Sequence, residues 1–278
     1  MSEHIDNNGM TSQMLQAYGA DFWLSHALSV IEGTYGDRVS VLQKDKDLLK
    51  FGRNTEVQTA KTTLMAHKSG TYNETYVASN LIDTISSSSG SDTEEITIEG
   101  HTVDGDGNFT FVVQTKTLTG QTKAVLDTPL ARCTRLYNSN GTDLVGTIYA
   151  YQDGAITSGV PDTGAEVHCV IPAGLNQSEK CATTISNNDY WIITSVDGHV
   201  LEKTATFVDF HLEIREKGKV FRDIFDWSAE SGNGFTEKFK PYLIVPANAD
   251  IRVRGSAGAN GKEASASIQG VLATVITD

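Results

Sequence analysis

The 278-residue chain has no run of 18 apolar residues, so no membrane-spanning helix is expected and no membrane partner. Cysteine is scarce. Cys133, Cys169 and Cys181 are odd in number and spaced by 36 and 12 residues, which is neither a disulfide framework nor a CxxC metal pattern. They read as buried reduced thiols, small hydrophobes in a core. Positive charge is also short: 22 Lys and Arg stand against 35 Asp and Glu, a net charge of −13. A nucleic-acid backbone needs clustered Lys and Arg, so nucleic acid is excluded as a partner. The opening decapeptide, MSEHIDNNGM, is polar and acidic and lacks the features of a secretory signal, so synthesis and release in a cytosol are expected.

Catalytic and metal motifs are missing as well. No GxSxG and no HExxH occurs. Asp104-Gly105-Asp106-Gly107-Asn108 starts like a calcium loop, but Phe109 and Thr115 stand where such a loop needs Gly and Glu. Gly261-Lys262 is no phosphate loop, because Ser256 replaces the earlier Gly and Glu263 follows the Lys. None of the seven histidines is spaced as a metal pair. Asp209, His211 and Glu213 share one side of an alternating segment and form at most a small polar cluster on an exposed strand face. The 35 acids leave room for a carboxylate pair distant in sequence, but nothing selects one. No cofactor is implied, and the chain reads as non-enzymatic.

What is present is β pattern. Residues 95–103 and 109–118 alternate around the Asp-Gly-Asp-Gly-Asn turn, a hairpin signal. Residues 131–137 and 144–151 flank an Asn-Gly turn. In ATFVDFHLEIRE, Val208, Phe210, Leu212 and Ile214 share one face of a half-buried antiparallel strand. In KPYLIVPANADIRVRG, Pro246 ends a strand and Asn248 or Asp250 closes the turn. Ile251 and Val253 are then expected to face the core, with Arg252 and Arg254 facing out. Short strands with turns every 8–15 residues or so, and no βαβ alternation, predict an all-β protein of two antiparallel β-sandwich, jelly-roll-like domains. The Gly- and Asp-rich stretch 153–164 is taken as the junction. The predicted division is an N-terminal arm at 1–55, a first sandwich at 56–155 and a second at 156–278.

The arm differs from the rest. Residues 11–31 place apolar side chains at three- and four-residue steps, predicting a short helix capped by Thr11. The arm cannot form a core alone, so its apolar residues Phe22, Trp23, Val39, Val41, Leu48, Leu49 and Phe51 are the candidate partner-binding residues.

Several stretches then stand out: LLKFGRNTEVQT (48–59), the segment 117–154 with its LTGQT, RLYN and GTIY elements, GVPDTG (159–164), and YLIVPANADIRVRGSAG (242–258). Together they resemble virion structural proteins of tailed bacteriophages, especially marine and cyanobacterial ones. The resemblance spans most of residues 48–276. It implies a β-sandwich capsid decoration, or cement, protein on the virion surface. Such a protein is assembled in the host cytoplasm, binds the major capsid protein and forms a homo-oligomer, typically a homotrimer. A head–tail connector, tail or fibre-adaptor protein is the alternative within that class. A carbohydrate-binding β-protein is the alternative outside it, and it would need exposed aromatics beside a cleft.

Overall fold

The computed structural model describes residues 41–66 and 76–276 of the chain. The helix expected at 11–31, and with it Phe22 and Trp23, and also Val39, lie outside the described residues.

Among the described residues the strands are β1 (Val41–Val57), β2 (Thr62–Thr63), β3 (Ile82–Ser87), β4 (Glu95–Val103), β5 (Phe109–Thr117) and β6 (Ala124–Leu130). They continue with β7 (Arg132–Asn138), β8 (Ile148–Gln152), β9 (Ile156–Thr157), β10 (Val160–Pro161), β11 (Val167–Ile171) and β12 (Ala182–Thr184). The last six are β13 (Asp189–Val200), β14 (Phe207–Arg215), β15 (Arg222–Glu230), β16 (Gly234–Val245), β17 (Asp250–Ala257) and β18 (Lys262–Ile276). The fold is all-β with antiparallel sheets. One sandwich faces sheet β11-β8-β3-β6 against sheet β5-β4-β7. The other faces β1-β18-β13-β16 against β12-β17-β14-β15, with β2 also pairing β17.

Local chemistry explains the elements. The β4–β5 hairpin closes because Asp104 Oδ1 accepts the amides of Asp106 and Asn108 at 2.9 and 2.8 Å, while Gly107 takes φ +80°. On β14, Val208, Phe210, Leu212 and Ile214 are all buried, as the alternation predicts. The Pro246–Asp250 turn places Asn248 at φ +59°, and its Oδ1 accepts the Phe109 amide of the first sandwich at 2.7 Å. All three cysteines are buried thiols.

Three features differ from the sequence expectation. Residues 41–57 are no separate arm but one 17-residue strand, paired with β18 from Val41↔Ile276 to Val57↔Lys262. The run Lys44-Asp45-Lys46-Asp47 masks its alternation, and charge of this kind is usual on an outer strand. Gly52 lets β1 lie close to its neighbours, since a Cβ there would overlap the Leu64 carbonyl and the Cys181 amide. Second, the 153–164 stretch is a small β9–β10 hairpin, and β11 beyond it returns to pair with β8, so Cys169 and Ile171 complete the first core. The composition change marks a turn within the first sandwich. Third, Arg252 does not face water: it is 7% exposed, packed against the rings of Tyr76 and Phe221 and bonded to Glu213.

Candidate partner-binding surface

Among the described residues β1 is the outer strand of its sheet, and its alternation sorts the predicted partner-binding residues. Leu48 points inward and packs on the second core. Leu49 and Phe51, two residues apart, point outward and are 60% and 43% exposed. Val41 opens β1 opposite Ile276. The structure therefore brings Leu49 and Phe51 together on a surface, with Leu48 beneath them.

Beside them runs a groove of about 320 Å³, walled by Leu48, Leu49, Lys50 and Phe51 on one side. Glu99, Thr134 and Arg135 of the first sandwich, with Gln177, Ser178 and Lys180 of the connecting segment, form the other. Such an outer strand combines backbone hydrogen-bonding groups with exposed apolar side chains, the combination used for strand-edge recognition. In a chain of net charge −13, the Lys50, Arg135 and Lys180 lining makes this groove locally basic.

Sequence reasoning missed the buried charges nearby. Lys50 is 8% exposed, and its Nζ reaches the Thr134 carbonyl at 3.4 Å. Burial lowers its pKa to about 8, against the attraction of Glu99. His101 on β4 is 3% exposed, and burial, reinforced by Lys50, lowers its pKa to about 3, so it is neutral at physiological pH. Burial also pushes the Cys181 thiol up, which makes it unreactive.

A larger network joins the sandwiches. Arg132 of β7 donates from Nε to Asp250 Oδ1 at 2.9 Å, and Arg215 of β14 donates from Nε to Asp250 Oδ2 at 3.0 Å. Thr184 Oγ1 also donates to Asp250, at 2.6 Å. Burial alone would raise the Asp250 carboxyl, but Arg132, Arg215 and Thr184 outweigh it and hold the pKa below its ordinary value. The guanidinium groups of Arg132, Arg215 and Arg252 lie 5.0, 4.6 and 5.3 Å from the Tyr76 ring centre. Glu213, 3% exposed, takes Arg252 Nε at 2.7 Å and Arg254 at 2.5 Å. The sequence places Glu213 on a solvated face, and only the partner strand β17 shows why it is buried.

His211, the other member of that strand face, lies with Asp223 and Asp226 close enough to hold a metal ion. Its ring nitrogens already meet Asp226 Oδ1 at 2.7 Å and Ser256 Oγ at 3.1 Å, and the Lys61 ammonium sits 2.6 Å from Asp223. These contacts satisfy the group internally, and a cation would have to displace Lys61. Asp209 instead bonds Ser228. Trp191 is fully buried, and Trp227 is half-buried, stacked on Phe225 and Phe235 at 5.7 and 4.9 Å. Among the described residues no helix is long and apolar enough to cross a membrane.

The class defined by these residues is an all-β protein of antiparallel sheets packed as sandwiches. No protein-family model matches the chain, and no curated protein matches it. Among solved structures it aligns with that of the infectious bursal disease virus Gt strain, at 11% identity over 91% of this chain and 77% of that one, TM-score 0.22. The VP2 subviral particle of the same virus aligns at 12% identity over 91% and 78%, TM-score 0.20. Its T13 viral particle aligns at 11% identity over 91% and 75%, TM-score 0.23. TM-scores this low carry neither a fold nor a role from those proteins to this chain.

Proposed function

We propose that the protein is a non-enzymatic structural component of a virus particle, and specifically a capsid decoration protein of a tailed bacteriophage. It binds the lattice of the major capsid protein as a homo-oligomer, with Leu49 and Phe51 at the contact. The observation that carries the reading is the exposed apolar pair on the outer strand β1, set beside a basic groove in an otherwise acidic protein. Acidic charge elsewhere suits an outward-facing, soluble surface. A lattice multiplies a modest contact through avidity, so a small apolar patch suffices per subunit.

The resemblance to tailed-phage virion proteins supports the reading through segments that pack as one unit. The LTGQT turn and the segment before β8 both meet Asp92: its carbonyl accepts the Gly120 amide at 2.9 Å, and its carboxylate accepts the amides of Val145 and Gly146 at 2.8 and 2.9 Å. The test is co-sedimentation with capsids lacking the protein. The unaltered chain should pellet with them, and a Leu49→Ser, Phe51→Ser double variant of unchanged melting temperature should remain in the supernatant. Equal pelleting of both would remove β1 from the contact.

A further inference from the structure

A second, smaller cleft shares Lys50, Glu99 and Thr134 with the groove and lies between the two sandwiches. It holds about 130 Å³, room for roughly four water-sized groups at about 30 Å³ each. β1 brings Lys46 and Lys50 to it, β4 brings Glu99 and His101, and residues 183–186 bring hydroxyls. One of these polar side chains, Lys50, is more than nine-tenths buried and under-used. The Lys50 ammonium has three donors, and its bond to the Thr134 carbonyl lies at 3.4 Å, near the long limit for a hydrogen bond. The His101 ring walls the cleft with its Nδ1 shut off inside, held edge-on to Phe111 at 5.3 Å and Phe109 at 6.4 Å.

We propose that this cleft binds a small monoanionic carboxylate, held by the Lys50 ammonium. An anion supplies acceptors to the ammonium donors that the Thr134 carbonyl leaves open. Lys46, with Arg135 and Lys180 nearby, adds positive charge, whereas Glu99 and Asp189 at the wall penalise a dianion. A carboxylate therefore fits better than phosphate. The site does not depend on the virion reading.

Proton linkage gives a signature that a merely structural lysine lacks. Lys50 is faced by Glu99 of β4, Arg135 of β7, Cys169 of β11 and the Lys180 ammonium, and burial dominates them all. His101 is faced by Lys50, Asp250 and Arg132 and remains neutral. A bound anion favours the charged form of Lys50, so its titration must move upward, and the anion must bind more weakly as Lys50 loses its proton. The probe is sodium acetate, added to the full chain at constant ionic strength while the Lys50 side chain is titrated by NMR. Saturating acetate should move the Lys50 midpoint upward by at least about one pH unit, and acetate affinity should fall about tenfold between pH 7 and pH 10. Lys50→Met should abolish acetate binding. An unmoved Lys50 midpoint, or acetate binding retained by Lys50→Met, would overturn the proposal; so would inorganic phosphate binding more tightly than acetate. Should Lys50→Met fail to fold, the titration of the unaltered protein decides the question alone.

Discussion

The interior of each sandwich and the joint between them are held by different physics. The first core is aliphatic: Ile82, Ile85, Ile96, Ile98, Leu130 and Leu136 are fully buried, with Cys133 and Cys169 filling gaps. The second adds aromatic bulk, with Trp191 and Phe210 fully buried and Phe235 edge-on to Phe210 at 5.2 Å. Both are ordinary apolar cores. The joint instead uses the Arg132–Asp250–Arg215 cluster, the Asn248–Phe109 hydrogen bond and the buried pair Lys50 and His101. Apolar cores tolerate pH and small shifts in geometry. A buried charge network tolerates neither, because each uncompensated charge carries its desolvation cost.

The largest expected effect comes from violating a core. Phe210→Asp puts an unpaired carboxylate among Val208, Trp191 and Phe235, and should unfold the second sandwich outright. Loss of the emission of buried Trp191 at 25 °C reports it, and an unchanged melting curve would mean that the strand faces are reversed. Breaking the joint comes next. Asp250→Asn leaves Arg132 and Arg215 uncompensated and should cost about 3–5 kcal/mol in urea unfolding. Little change would show that the sandwiches hold together without the network.

A smaller effect separates joint from cores by pH. His101 has a folded pKa depressed from 6.5 to about 3, so the unfolded chain takes up the proton first. Its contribution is fully present above pH 6.5 and is lost progressively as the pH falls toward 3. His101→Phe should shrink the stability difference between pH 7 and pH 4.5 by about 2–3 kcal/mol. Asp250 adds its own loss only below its ordinary value of 3.8, since its folded pKa lies lower still. The smallest effect belongs to the surface: Leu49→Ser with Phe51→Ser should change stability by about 1 kcal/mol or less, while abolishing capsid binding.

The same division sets what could be read from sequence. Alternation exposed the cores: Val208, Phe210, Leu212 and Ile214 on β14, and Ile251 and Val253 on β17, lie inside as their spacing requires. Turn chemistry located the β4–β5 hairpin. The joint was hidden because period-two patterning assigns charged positions to solvent by default. Arg252 and Glu213 alternate with core residues just as exposed residues would; the cover of Tyr76 and Phe221 makes Arg252 interior, and Arg252 and Arg254 of β17 close over Glu213. β1 was obscured for a related reason, its Lys-Asp run interrupting the apolar alternation of an outer strand. Of the candidate surface, Leu49 and Phe51 were legible as apolar residues without a core of their own, whereas Leu48 proved to have one.

The most direct test of the virion assignment is an electron cryo-microscopy map of particles assembled with the protein, into which the two sandwiches are fitted. The account predicts density for many copies spread over the outside of the head, with β1 toward the capsid lattice. Density confined to the neck or tail, or none on the particle, would contradict it.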